Sequence, residues 1–153
     1  MLHFAYGSNM HRAVMRRHAP AAEPIGVAQL AGFRFIITMD GYASVQPARA
    51  HIVHGVLWRL TPRDRTTLDI WENIAGGLYR THMLAVEHAG GRRPALVYVA
   101  RPRPPGRPKP GYMEIVVAAA RAWEMPAQYI TSLEGWLPRR RLGAGQRKLG
   151  EFP

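Results

Sequence analysis

The chain has 153 residues, of which 47% are hydrophobic and 20% charged, a composition typical of one globular domain with its own core. It contains no cysteine, which excludes disulfides, thiolate metal sites and a cysteine nucleophile. No apolar run reaches the roughly 18 residues that a membrane span needs, and no basic and then apolar leader opens the chain, so we expect a cytoplasmic protein without a membrane partner.

The formal net charge of +11 is concentrated in two segments. Residues 101–110 hold four cations and no anion, and residues 139–153 hold five cations and one anion, which leaves +3 for the rest of the chain. Such basicity can serve nucleic-acid binding, but no aromatic residues alternate with the cations to stack on bases. Nucleic-acid binding through 101–109 and 139–148 is therefore the weaker alternative, from a different functional class.

The first predicted element is a strand at residues 2–6, which leads into three turn formers, Gly7-Ser8-Asn9. A helix is predicted at residues 10–17, with Ser8 or Asn9 as its cap, and Gly7 is expected to adopt a backbone conformation that other residues resist. Consecutive N–H groups at a strand-to-helix junction can converge on an anion or a developing oxyanion. The 6–9 turn is thus a candidate carboxylate cradle, although a simple helix cap explains the same residues.

β-Branched and aromatic residues dominate residues 25–39 and 52–60, which predicts two strands, the first interrupted at Gly32. A helix start follows, because Thr61 can cap it, a proline occupies the first helical position and an acid stands three residues after the cap. This helix is predicted to run to about Trp71.

The second half of the chain predicts a hairpin and two helices, separated by a surface loop. Five prolines in residues 101–111 exclude a helix or an interior strand there. The elements are, in chain order, a strand at 78–87, a turn at Gly90-Gly91, a strand at 95–100, a helix at 113–125 and a helix at 126–136. This order predicts an α+β fold with a largely antiparallel sheet, as one domain over residues 1–137 with a basic, flexible tail at 138–153.

Glu72 is the second candidate site residue, at the end of the helix that begins after Thr61. A helix dipole disfavours a carboxylate at this end, and Trp71 beside it would remove water; both effects raise a pKa toward the range of proton transfer. A solvated surface acid explains the position equally well.

Other catalytic chemistries have little support in the sequence. None of the three serines lies in Gly-x-Ser-x-Gly, and no nucleotide-binding glycine motif occurs. His51 and His54 are three residues apart on a predicted strand, so they point to opposite faces and do not predict a metal site.

Several short motifs follow one another along residues 2–137. They are Phe4-Ala5-Tyr6-Gly7-Ser8-Asn9, Gly55-Val56-Leu57-Trp58, Leu68-Asp69-Ile70-Trp71-Glu72-Asn73, Gly77-Leu78-Tyr79, and Pro110-Gly111-Tyr112 followed by the Ala118-Ala119-Ala120 helix and Met125-Pro126. In this order they resemble the γ-glutamylcyclotransferase-like, or AIG2-like, family. Two departures are Asn73, where the family has glycine, and Pro110, which lies two residues before Tyr112.

The resemblance implies a small mixed β-barrel of five or six strands with packed helices. It also implies a reaction in which the α-amine of a small γ-glutamyl substrate attacks its own γ-carbonyl and releases 5-oxoproline, without metal or cofactor. Glu72 would be the general acid and base. The implied substrate-binding residues are Tyr6, Gly7, Ser8, Asn9, Tyr79 and Tyr112.

Three alternatives remain within this fold: a γ-glutamylamine-specific variant, an amidase-like variant that hydrolyses the substrate, and a non-catalytic relative. The sequence leaves open whether the substrate is glutathione, a dipeptide, a γ-glutamyl amine or an antibiotic-like compound, and it leaves the oligomeric state open.

Overall fold

The computed structural model describes residues 1–138 as a five-stranded closed β-barrel with helices packed around it. The strands are β1 (Leu2–Ala5), β2 (Glu23–Ile37), β3 (Ala43–Arg59), β4 (Tyr79–His88) and β5 (Gly91–Ala100). The α-helices are α1 (Arg12–His18), α2 (Pro62–Trp71), α3 (Tyr112–Ala122) and α4 (Ala127–Glu134), and a short 3₁₀ turn spans Ser8–Met10.

The barrel closes in the strand order β1-β3-β2-β4-β5. Four of the five strand pairings are antiparallel, and only the closing pair of β1 and β5 is parallel, through His3 and Leu96. The predicted α+β class, the largely antiparallel sheet and the small mixed barrel with packed helices are therefore confirmed.

Strands β2 and β3 differ from the sequence prediction. β2 is not broken at Gly32, which instead marks a register shift between Ala31 and Phe33. β3 begins at Ala43 rather than at residue 52. Residues 48–51 bulge opposite Gly32, with Ala50 at a φ of 63°, and β3 pairs with β2 on both sides of this bulge. A bulge of this kind bends the strand without ending it, so weak strand formers on its far side still pair with β2.

The two helices nearest the N-terminus begin differently from each other. α2 starts as predicted, with Thr61 Oγ1 accepting from the Asp64 amide at 3.1 Å. The predicted cap of α1 by Ser8 or Asn9 is wrong, because these residues form the 3₁₀ turn. His11 caps α1 instead, its Nδ1 accepting from the Ala13 amide at 3.2 Å.

The apolar core fills the barrel and extends to the surfaces where α2, α3 and α4 pack against the barrel. Its largest fully buried side chains include Phe4, Leu57, Leu68, Met113 and Leu133. The tail predicted at 138–153 lies almost wholly outside the described residues. Among the helices in residues 1–138, none is long and apolar enough to span a membrane.

Candidate functional site

A cavity of about 490 Å³ opens where the end of β1, the 3₁₀ turn, the end of α2 and the start of α3 meet. Every site residue expected from the sequence lies in its wall: Tyr6, Gly7, Ser8, Asn9, Glu72, Tyr79 and Tyr112. These residues come from four separate stretches of chain, which the barrel brings to one place. A cavity of this size suits a small-molecule ligand.

Glu72 caps the C-terminal end of α2, and its amide donates to the Leu68 carbonyl at 2.9 Å. Its side chain is partly exposed because it lies in the wall of an open cavity, yet protein atoms surround the carboxyl group. This burial raises the pKa of Glu72 from 4.5 to about 7. Trp71, expected to remove water from it, is 60% exposed, so the other cavity walls supply part of the burial.

Asn73 adopts a left-handed backbone conformation in the loop that follows Glu72. Its φ is 50°, in the left-handed region where asparagine is among the few tolerated residues other than glycine. Its Oδ1 accepts from the Gly76 amide at 3.1 Å, which closes the turn after α2. The position needs this backbone conformation, and asparagine supplies it.

Gly7 lies at a point of close approach between the 6–9 turn and Tyr112. Its φ of −109° lies outside the left-handed region, and its ψ of −140° lies outside the usual helical and extended ranges. The constraint is close approach, because a Cβ at Gly7 would lie 2.6 Å from Tyr112 Oη. Within residues 1–138 the amides of Gly7 and Asn9 donate to no protein acceptor.

Ala43 holds two of the tyrosines in the cavity wall. Its carbonyl accepts from Tyr79 Oη at 2.7 Å, and its amide donates to Tyr112 Oη at 3.3 Å. Burial raises the pKa of Tyr112 to about 12 and that of Tyr79 further, so both phenols are neutral hydrogen-bonding groups at neutral pH.

Comparison with known proteins agrees with this architecture. The AIG2-like family model matches residues 52–133, more than half of the chain. The chain belongs to the AIG2-like family. The match contains Glu72, Tyr79 and Tyr112 but begins after the 6–9 turn, at residue 52.

Individual relatives of this AIG2-like chain extend the similarity to its N-terminal part. A mouse protein named gamma-glutamylcyclotransferase is 26% identical, over 93% of this chain and 81% of its own. A solved structure named gamma-glutamyl cyclotransferase superposes with a TM-score of 0.85 at 23% identity, covering 94% of this chain and 91% of that one. An uncharacterized human protein gives a TM-score of 0.84 at 24% identity, over 93% and 90% of the two chains. At identities this low, the two superpositions establish a shared fold and nothing more specific.

Tyr98 and His3 line the same cavity of this AIG2-like chain and were not expected from the sequence. Tyr98 Oη donates to Asp69 Oδ1 at 2.7 Å, and its carbonyl accepts from Tyr6 Oη. His3 is 2% exposed and its ring meets Tyr98 edge to face, and burial lowers its pKa to about 4. Both residues occupy inward-facing positions in the alternating pattern of their strands. Every core residue of a strand does the same, so this pattern does not mark them as site residues.

Asn9 lies between Glu72 and the end of α1. Its Nδ2 is 3.5 Å from Glu72 Oε1, and its Oδ1 is 3.0 Å from His18 Nδ1. The His18 ring in turn stacks on the Trp71 indole, with centroids 4.0 Å apart. The sequence placed Asn9 and Glu72 in one site, but it gave no signal for His18.

The proline-rich loop at 101–111 lies along the turn after β2. The Met39 amide donates to the Pro104 carbonyl, and Arg103 pairs with Asp40 at 3.4 Å. Lys109 Nζ lies 5.8 Å from the centre of the Tyr42 ring. Two of the four loop cations therefore have partners within the chain, which removes part of the basis for the nucleic-acid alternative. Among residues 1–138 no cluster of three or more His, Asp or Glu side chains could hold a metal ion.

Proposed function

We propose that this protein is a γ-glutamyl cyclotransferase that releases 5-oxoproline from a small γ-glutamyl substrate. The observation that carries the proposal is the position of Glu72, a carboxyl group with a pKa of about 7 in the wall of a ligand-sized cavity. At neutral pH such a group is present in its ionised and its protonated form, so it can both accept and donate a proton.

The proposed reaction moves two protons in turn from the α-nitrogen to the leaving nitrogen and needs no water. Ionised Glu72 takes a proton from the substrate's α-ammonium, and the freed amine attacks the γ-carbonyl to form the new C–N bond of the ring. Protonated Glu72 gives its proton to the leaving nitrogen, and the tetrahedral intermediate collapses as the bond to that nitrogen breaks. The ring nitrogen then gives its second proton to the regenerated Glu72 carboxylate, which passes it to the expelled amine and leaves 5-oxoproline with a neutral ring amide. Because nucleophile and electrophile belong to one molecule, the cavity needs chiefly to hold the folded conformation that brings them together.

The remaining cavity residues are proposed to bind the glutamyl part. The free amides of Gly7 and Asn9 suit the α-carboxylate or the developing oxyanion, since backbone N–H groups stabilise negative charge without reorganising. The neutral phenols of Tyr79 and Tyr112 are held in fixed positions by Ala43 and would form the walls on either side. Tyr6 and Ser8 complete this part of the site.

The test is product analysis with Glu72→Gln. We expect the wild-type protein to convert γ-glutamyl dipeptides to 5-oxoproline and the free amino acid, and the variant to lose at least about a hundredfold in kcat, as when a general acid and base is removed. Glu87→Gln, on the exposed side of β4, is the matched control and should keep its rate. Release of glutamate instead of 5-oxoproline would identify an amidase-like enzyme, and undiminished turnover by Glu72→Gln would refute the mechanism.

A further inference from the structure

His18, Asn9 and Glu72 form one chain of polar contacts that enters the cavity wall from the end of α1. The contact distances are 3.0 Å from His18 Nδ1 to Asn9 Oδ1 and 3.5 Å from Asn9 Nδ2 to Glu72 Oε1. We propose that His18 carries its proton on Nδ1 and is a positioning residue, which holds the Asn9 side-chain amide with its N–H group facing Glu72. This inference rests on the proposed role of Glu72 in the cyclotransferase reaction.

The direction of the Asn9 amide matters because its two ends have opposite polarity. An ionised carboxylate only accepts hydrogen bonds, so it is stabilised by Nδ2 and repelled by Oδ1. A half-turn of the Asn9 amide group would exchange Nδ2 and Oδ1 and so bring the wrong atom to Glu72. An N–H at His18 Nδ1 fixes the choice, because it requires the amide oxygen on its own side.

His18 is suited to this role by its charge and by its packing. Burial, and to a smaller extent Arg17, lower its pKa, so the ring is neutral at neutral pH and carries one N–H. Its ring stacks on Trp71 with planes 27° apart, which restricts rotation of the imidazole. Trp71 immediately precedes Glu72, so the stack also joins the end of α1 to the end of α2.

Other ionisable groups near Glu72 act equally in all variants of His18, which makes a pH profile informative. Besides His18, the ionisable side chains in the cavity wall are Arg17 on α1, His3 and Tyr6 at β1, Tyr42 before β3, Tyr79 on β4, Tyr98 on β5 and Tyr112 on α3. The buried tyrosines titrate well above neutral pH and His3 well below it, so these groups contribute little to the acid limb. His18 itself has a lowered pKa, so a direct titration of Glu72 is needed to separate a shift of Glu72 from the loss of the imidazole.

Two variants separate the hydrogen bond from the stacking. His18→Phe keeps an aromatic ring for Trp71 and loses the donor, whereas His18→Asn loses the ring and keeps an N–H close to the position of Nδ1. We expect His18→Phe to lower kcat for γ-glutamylalanine by about fivefold with KM nearly unchanged, the effect of about one hydrogen bond. Its acid limb should move to higher pH, because ionised Glu72 loses its oriented donor, and His18→Asn should recover most of the loss.

The controls distinguish this inference from the proposed function. His82→Phe, an exposed histidine on β4 outside the cavity, should change neither kcat nor the profile, and melting temperatures identify any variant that fails to fold. The Glu72 carboxyl titration, followed by carbon NMR, gives a readout that needs no turnover. A wild-type protein without cyclotransferase activity would refute the proposed function, while a Glu72 titration unchanged in His18→Phe, or equally displaced in His18→Asn, would overturn the positioning role.

Discussion

Replacing Glu72 by glutamine should stabilise the protein increasingly as pH rises. Burial raises the pKa of Glu72 from 4.5 to about 7, so the folded state binds this proton more tightly than the unfolded state does. The unfolding free energy of the wild type should therefore fall as pH rises from about 4.5 to about 7 and then level off. At 1.36 kcal/mol per pKa unit the loss is at most about 3.4 kcal/mol, and solvent reaching this partly exposed side chain reduces it.

Glutamine has the same shape and can still accept from Asn9, but it has no charge to desolvate. The variant-minus-wild-type difference in unfolding free energy should thus grow by about 1–3 kcal/mol across this pH window. Urea denaturation at several pH values measures it, and Glu87→Gln, on the exposed face of β4, should stay within about 0.5 kcal/mol of the wild type. A difference that is flat from pH 4 to pH 8 would refute the claim that burial raises this pKa, whatever the variant's activity.

Two further substitutions test the cradle and the helix that carries Glu72. Gly7→Ala places a Cβ 2.6 Å from Tyr112 Oη, so we expect a loss of about 1–3 kcal/mol in unfolding free energy and a lower kcat/KM. The control is Gly91→Ala, whose Cβ would meet its nearest neighbour at 3.8 Å, and it should change neither quantity. Equal behaviour of the two variants would contradict the close approach. Thr61→Ala removes the cap of α2 and should lower the unfolding free energy by about 1 kcal/mol, measured from the denaturant midpoint. Its kcat should be nearly unchanged, because Glu72 lies at the other end of the helix. An unchanged midpoint would show that the cap contributes nothing.

The fold was predictable from the sequence wherever a local signal specified local structure. The cap, proline and acid after residue 60 determine where α2 begins, and the hairpin of β4 and β5 follows from alternation on either side of a glycine turn. The predicted turn at Gly90-Gly91 is one residue too late, because Gly91 pairs with His88 and already begins β5, which was predicted to begin at residue 95. The prediction was wrong where pairing across the sheet overrides local preference. The first part of β3 is a strand because β2 lies beside it, and His11 caps α1 because Ser8 and Asn9 are already held in a 3₁₀ turn.

The candidate site shows the same division between local signals and contacts made in three dimensions. Glu72 and the 6–9 turn could be singled out because their residue types and order carry chemistry, and the barrel brings them into one cavity. His18 could not, since a histidine at the end of a helix is ordinary until Asn9 lies 3.0 Å from one nitrogen and Trp71 covers its face. The reason for Gly7 was equally hidden, because Tyr112, which occupies the space of its missing Cβ, begins a helix more than a hundred residues later. Residues that act by orienting another side chain therefore emerge only from the folded structure, and variants of His18 test a part of the site that no motif marks.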